Sequence, residues 1–127
     1  MSKYINKVTN SLTKLISEIS ENPSLFVKKP KTDFTRNRKI NFKKFIGITM
    51  NSGGGTMSKE LLDYFDFDVN TPSVSAYTQQ RSKVLPEAFE FLFNSFTQEN
   101  MSSTNNYNGY RLIACDGSNL TIATNPN

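Results

Sequence analysis

The stretch that decides the fold is Pro86-Glu-Ala-Phe-Glu-Phe-Leu-Phe-Asn-Ser-Phe96. Pro86 suits the start of a helix, because the first helical residues need no partner for a backbone N–H. The apolar residues that follow recur with the period of a helix and predict one broad apolar stripe: Ala88, Phe89, Leu92, Phe93 and Phe96. The chain is therefore predicted to be mainly α.

Four more helices are predicted on the N-terminal side of this stretch. Residues 4–19 carry apolar side chains at spacings of three and four. Two short helices flank the glycine turn at residues 53–55, and Thr56 is suited to cap the second of them. A further helix over residues 73–84 would be opened by Thr71-Pro72, as cap and first helical residue.

The helix predicted at residues 73–84 has two unlike faces. Val74, Tyr77 and Val84 are expected to point inward. The opposite face would expose polar side chains: Ser75, Thr78, Gln79, Gln80, Ser82 and Lys83. With the helix before it, this helix could form a helix-turn-helix, in which Gln79 and Gln80 are of the type that pairs with adenine. An ordinary helical bundle with a polar outer face remains the other interpretation.

Positive charge is concentrated in one segment of the chain. Fifteen Lys and Arg against eleven Asp and Glu give a net charge of +4. Asp33 is the one acid within a cluster of basic residues: Lys28, Lys29, Lys31, Arg36, Arg38, Lys39, Lys43 and Lys44. The segment from Leu25 to Asn41 is predicted to be an extended basic loop, and the run from Lys28 to Lys44 is predicted to neutralise phosphates. A merely solvated surface is the alternative.

Composition excludes several kinds of chemistry. The chain has one cysteine, Cys115, and no histidine, so an internal disulfide, Cys/His zinc sites and His-based triads are excluded. Metal chemistry would have to use carboxylates. No stretch approaches the roughly 18 apolar residues of a membrane span, and the N-terminus lacks the apolar segment of a signal peptide. A cytoplasmic protein without membrane contact is expected.

The C-terminal part has a different pattern. Residues 97–109 have the composition of a linker, which predicts a domain boundary near residue 105. Tyr110-Arg-Leu-Ile-Ala-Cys115 is predicted to be a buried strand, and residues 120–123 could begin a second one. Asp116 follows the first strand, where a carboxylate can hold a divalent cation. Asp-Gly is also a common turn signal, and taken alone it favours the turn.

Several segments, read together and in order, resemble DDE transposases of the bacterial insertion-sequence-four family. The resemblance covers residues 25–127. The segments that carry it are Asp33-Phe-Thr-Arg-Asn-Arg-Lys-Ile-Asn-Phe-Lys-Lys-Phe-Ile, the glycine turn before Lys59-Glu-Leu-Leu, Ser73-Val-Ser-Ala-Tyr-Thr-Gln-Gln-Arg-Ser-Lys, Leu85-Pro-Glu-Ala-Phe, and Tyr110-Arg-Leu-Ile-Ala-Cys-Asp-Gly-Ser.

The resemblance implies cut-and-paste DNA transposition. In that family a helical domain binds the double-stranded DNA of the transposon ends. An RNase H-like domain follows, whose two Asp and one Glu hold two Mg²⁺ or Mn²⁺ ions for strand cleavage and transfer. Asp116 matches the first Asp, which makes it the expected catalytic residue and metal ligand. The resemblance further implies a nucleoid-associated bacterial protein that forms a homodimer as the complete enzyme.

The second Asp and the Glu have no counterpart in these residues. The expected organisation is an N-terminal helix at 1–24, a basic loop and helical DNA-binding domain at 25–104, and a truncated start of the RNase H-like domain at 105–127. One carboxylate cannot hold two metal ions. The chain alone is therefore expected to bind no metal stably and to cleave no DNA.

Two other classes of function stay open from the sequence. The first is a small non-enzymatic helix-turn-helix regulator, in which the Asp116 strand would be an accessory hairpin. The second is a helical interaction module whose basic loop only keeps it soluble. Under both DNA-binding readings, Gln79, Gln80 and Lys83 are candidate contacts to bases or phosphates, and the basic cluster contacts the backbone.

Overall fold

Five α-helices dominate the structure, a computed structural model that describes residues 3–101, 106–112 and 117. The mainly α prediction is thereby confirmed. In chain order the elements are α1 (Lys3–Glu21), a 3-10 turn (Pro23–Phe26), α2 (Phe42–Asn51), α3 (Met57–Tyr64), α4 (Val74–Arg81), α5 (Glu87–Asn100), β1 (Asn106–Tyr107) and β2 (Tyr110–Arg111).

Helix α2 lies at the centre of the core, in contact with α1, α3 and α4. Its Phe45 is 1% exposed, and its ring stacks on Tyr77 of α4 at 5.3 Å between centroids. The same ring meets Phe89 of α5 edge-on at 6.4 Å. Leu15 and Ile19 of α1 belong to the same buried cluster. The buried cluster thus includes side chains from all five helices, and burial of its apolar area is the main source of stability.

The predicted glycine turn and the cap of α3 are confirmed. Thr56 is the N-cap, and its side chain accepts a hydrogen bond from the Lys59 backbone N–H at 3.4 Å. Gly54 has a φ of +87°, a conformation that a side chain would strain. Oε1 of Glu60 closes the turn by accepting the backbone N–H groups of Gly53 and Gly55, at 3.1 and 2.7 Å.

Helix α4 differs from its prediction in both length and orientation. Its N-cap is Ser73 rather than Thr71, and the Ser73 hydroxyl accepts the Ala76 N–H at 3.2 Å. The Thr71 hydroxyl instead donates to the Asp68 carbonyl, within the loop before the helix. Val74, predicted to point inward, is 40% exposed, because it is the first helical residue and lies beside that loop rather than over the core.

The apolar stripe of α5 is wider than the surface that the core covers. Ala88 and Leu92 are buried and Phe89 and Phe96 pack partly against the core, as predicted. Phe93 was expected in the same stripe, but it is 70% exposed. Adjacent residues of a helix lie about 100° apart, so the position after a buried Leu92 can face solvent.

The described C-terminal residues form a small hairpin. Asn106 pairs with Arg111 and Tyr107 with Tyr110 across an antiparallel register. Asn108 and Gly109, which the sequence had placed in a linker, both have positive φ, as a tight two-residue hairpin turn requires.

The prediction of a buried strand from residue 110 onward is wrong for its described part. Tyr110 and Leu112 are 76% and 72% exposed, since the part of the chain that the structure describes places no second layer over the paired strands. Cys115, Asp116 and the strand predicted at 120–123 lie outside the described residues.

Candidate nucleic-acid interface

Within the predicted loop, residues 28–40 form the basic loop of the structure. The start of this basic loop is hydrogen-bonded to the residues that follow α4. Val27 and Val84 form an antiparallel bridge, and the Lys28 N–H donates to the Lys83 carbonyl at 2.8 Å. Both valines are buried. The sequence had extended α4 to Val84, but the helix ends at Arg81, and the residues after it are used to hold the loop.

The first part of the basic loop is a turn built on Asp33. The backbone N–H groups of Thr32 and Asp33 donate to the Lys29 carbonyl at 3.0 and 2.8 Å. The Asp33 carboxylate accepts the Lys29 backbone N–H at 2.9 Å. This carboxylate therefore stabilises the turn, as Asp does in many turns, and forms no ion pair with a cation among the described residues.

Two apolar side chains fix the rest of the loop to the core. The Phe34 ring meets Phe42 edge-on at 5.5 Å, and Ile40 is 2% exposed. Phe34 has a φ of 55°, which costs a bulky residue on the order of 1–3 kcal/mol. Between these anchors the basic side chains Arg36, Arg38 and Lys39 are exposed, as is Lys31 before Phe34.

Two adjoining clefts separate the basic loop from α4. The first encloses about 280 Å³, and its charged or amide lining comes from Lys31, Arg36, Arg38, Gln80 and Lys83. The second encloses about 520 Å³ and is lined on its polar side by Asn37, Arg38, Lys39, Ser73, Gln79 and Gln80. The fold thus brings residues far apart in sequence, predicted separately as phosphate and base contacts, to one surface.

Gln80 does not lie where the helical pattern placed it. It was predicted to be outward-facing but is 5% exposed, because the basic loop folds over this end of α4. Its Oε1 accepts a hydrogen bond from Lys83 Nζ at 3.0 Å. The same ammonium lies 5.8 Å from the centre of the Phe34 ring. Gln79, by contrast, is exposed, as predicted.

Four of the predicted basic residues lie outside these clefts. Lys28 and Lys29 are exposed at the start of the loop. Lys43 donates from Nζ to the Ser17 hydroxyl of α1 at 3.2 Å. The Lys44 ammonium lies 5.6 Å from the centre of the Phe65 ring, beyond the end of α3. Lys39, which does line a cleft, donates from Nζ to the Asn70 carbonyl at 3.0 Å.

Ion pairs between described residues are found away from this surface. Lys14 lies 3.5 Å from Glu18 and 3.8 Å from Glu99, and Lys59 pairs with Asp63. The hydrogen bond to the Asp63 carboxylate, together with its charge, raises the pKa of Lys59. Since no described carboxylate forms an ion pair with a cation of the basic loop, and Asp33 is the one acid among its basic residues, the loop carries a positive surface potential.

The sequence did not single out some polar residues of the clefts. Thr35 lines the first cleft and Asn37 the second, interleaved with Arg36 and Arg38. Their signal was available, because hydroxyl and amide side chains alternating with arginine are typical phosphate contacts. Ser73 was taken only as the start of a helix.

The described residues contain no cluster of three or more side chains that could hold a metal ion. Asp116, the predicted metal ligand, lies outside them. Within the same described ranges, no helix is both long and apolar enough to cross a membrane. Compared with protein-family models, curated proteins and solved structures, the chain has no match.

Proposed function

We propose that this protein binds double-stranded DNA with the basic loop and α4, as the end-binding part of a transposase. One observation carries the proposal. Exposed cations of the loop share two clefts with polar side chains of α4, and no described carboxylate pairs with them. A duplex supplies the dense negative charge that such a surface attracts.

The proposed contacts to DNA are of two kinds, to phosphates and to bases. Lys31, Arg36 and Arg38 bind phosphates, and Lys28 and Lys29 extend the charged track along the loop. Gln79, exposed on α4, is the best placed side chain to pair with a base edge in the major groove. Lys43 and Lys44 contribute mainly through their charge, because both ammonium groups have protein neighbours.

We further propose that α3 and α4 act as a helix-turn-helix with a long connection. Residues 65–73 join the two helices, whereas compact versions of the motif use a turn of about three or four residues. Helix α4 packs against both α2 and α3, and these contacts hold it in place. A helix held in this way can enter the major groove as a rigid element.

DNA binding is tested by fluorescence anisotropy across a salt series, with a random duplex and with duplexes taken from either side of the coding sequence. We expect binding that weakens steeply with salt and is tighter on one flanking duplex. Absence of binding at low salt would refute the proposal. Equal affinity for all duplexes would refute end recognition while leaving DNA binding in place.

The catalytic part of the proposal rests on Asp116 and the family resemblance. In the complete transposase Asp116 would bind one of two Mg²⁺ ions that activate water, and then a 3′-hydroxyl, toward phosphodiesters. The 127 residues alone are expected to leave DNA intact. Mg²⁺-dependent nicking by the purified chain, abolished in Asp116→Ala, would contradict this assignment.

A further inference from the structure

Gln80 places a mostly buried side-chain amide in the wall of the first cleft. The side chain is 5% exposed, and its Oε1 is already bonded to Lys83 Nζ. That bond orients the amide, so its Nε2 must point away from the ammonium. Two N–H donors are thereby fixed in a mostly buried side chain that lines the clefts.

The Nε2 donors of Gln80 have no acceptor among the described residues. Yet no fully buried side-chain nitrogen or oxygen in the same part of the chain lacks a partner. Nε2 therefore reaches open space in the clefts. In the free protein the partner of Nε2 would be water, which an acceptor atom of a bound ligand can replace.

Lys83 is held beside this amide. Gln80 Oε1 takes one of its three ammonium donors, and the Phe34 ring lies against its charge. The remaining donors are free to turn toward the cleft. Because the ammonium is fixed before any ligand arrives, less side-chain entropy is lost on binding.

We infer that the first cleft binds one backbone phosphate of the duplex, with Gln80 Nε2 and Lys83 Nζ donating to its oxygens. The inference rests on the proposed DNA binding and assigns Gln80 to a phosphate rather than to adenine. Lys31, Arg36 and Arg38 add charge around the same space. At about 280 Å³, the cleft has many times the roughly 10–15 Å³ that a cavity needs to hold one water, enough for a phosphate group.

The two donors make different predictions because only one is charged. A neutral amide releases no counterion, so Gln80→Leu should weaken binding at every salt concentration without changing the slope of log K against log[salt]. A lost hydrogen bond to a charged group predicts a reduction on the order of tenfold. Lys83→Gln should reduce the magnitude of the slope by about 0.9. Lys7→Gln, an equal charge change on α1, should leave it unchanged.

The sequence of the duplex separates a phosphate contact from a base contact. With two unrelated duplexes, Gln80→Leu should lose the same factor on both. A loss confined to one duplex, or no loss while the wild-type chain binds, would overturn this inference and leave DNA binding standing. Failure of the wild-type chain to bind either duplex would overturn both.

A spectrum of the wild-type chain can show whether the phosphate comes from a duplex or is a free anion. It does not depend on whether the variant folds. In the wild-type chain, the Gln80 side-chain amide signals in a ¹H–¹⁵N spectrum should shift on titration with duplex, and more weakly with inorganic phosphate. A response to inorganic phosphate without one to duplex would assign the cleft to a free anion and overturn the proposal. This spectrum also decides the matter if Gln80→Leu fails to fold.

Discussion

Two polar surfaces among the described residues, one between α1 and α5 and one between the basic loop and α4, differ in whether their charges are paired within the protein. Where α1 meets α5, Glu99 accepts a hydrogen bond from the Ser11 hydroxyl at 2.6 Å and lies near Lys14. Asn100 donates to the same hydroxyl at 3.0 Å, which closes a network. Where the basic loop meets α4, cations contact rings, carbonyls and an amide, but no described carboxylate. Charges of the first surface are paired within the protein, whereas the second surface, which we propose binds DNA, has cations that no described carboxylate neutralises.

The largest expected effect on stability comes from truncating Phe45, a core side chain on which elements of both surfaces pack. Phe45 contacts the basic loop through Phe34, α4 through Tyr77 and α5 through Phe89. Phe45→Ala should lower the free energy of unfolding by about 3–5 kcal/mol, from lost burial and a remaining cavity. Urea denaturation followed by circular dichroism measures this change. Phe93→Ala on the exposed side of α5 is the control, expected within about 0.5 kcal/mol of wild type.

The next largest expected effect is on the salt dependence of DNA binding, and it should differ between equal charge changes on the two surfaces. Arg36→Gln with Arg38→Gln removes two exposed cations that line the first cleft. The slope of log K against log[salt] should fall in magnitude by about 1.8, from two counterions no longer released. Lys3→Gln with Lys7→Gln makes the same charge change on α1 and should leave the slope nearly unaltered. Equal slopes for the two double variants would mean that net charge alone attracts DNA.

A smaller effect should reduce stability without touching either surface. The hydroxyls of Thr49 and Tyr77 share a hydrogen bond of 2.9 Å between α2 and α4. Tyr77→Phe should cost about 1 kcal/mol of unfolding free energy, because the partner hydroxyl is only partly buried. DNA affinity at a temperature where the variant is folded should stay as in wild type. A large loss of affinity would show that this bond positions α4 for binding.

The smallest expected effect on stability comes from a substitution in the network between α1 and α5. Glu99→Gln should lower the unfolding free energy by no more than about 0.5 kcal/mol, because its partner Lys14 is 65% exposed and solvent screens the pair. The salt dependence of DNA binding should not change. If this substitution altered the slope as much as the loss of an arginine from the basic loop, the contrast between the two surfaces would fail.

Local chemistry explains what the sequence predicted correctly. Pro86 and Thr56 mark helix starts by their own geometry and hydrogen bonding, and the glycine turn depends on the backbone freedom of Gly54. These signals act within a few residues. The mainly α class and the helix α5 that begins after Pro86 follow from them together with hydrophobic periodicity.

Tertiary packing explains the errors. Gln80 has a polar side chain on what periodicity identifies as an outer face, but the basic loop covers it. Phe93 is apolar yet exposed, because no element of the described residues packs on that side of α5. Neither outcome is encoded in the helix that carries the residue. The clefts could not be predicted either, since they depend on where Val27 and Val84 pair.

The most direct measurement is a map of backbone ¹H–¹⁵N chemical shifts during titration of the labelled chain with a short duplex at low salt. The largest changes should fall in residues 28–40 and 73–83, and residues of α1 and α5 around Ser11 and Glu99 should change little. Changes concentrated on α1 and α5, with the basic loop unaffected, would contradict DNA binding by the loop and α4.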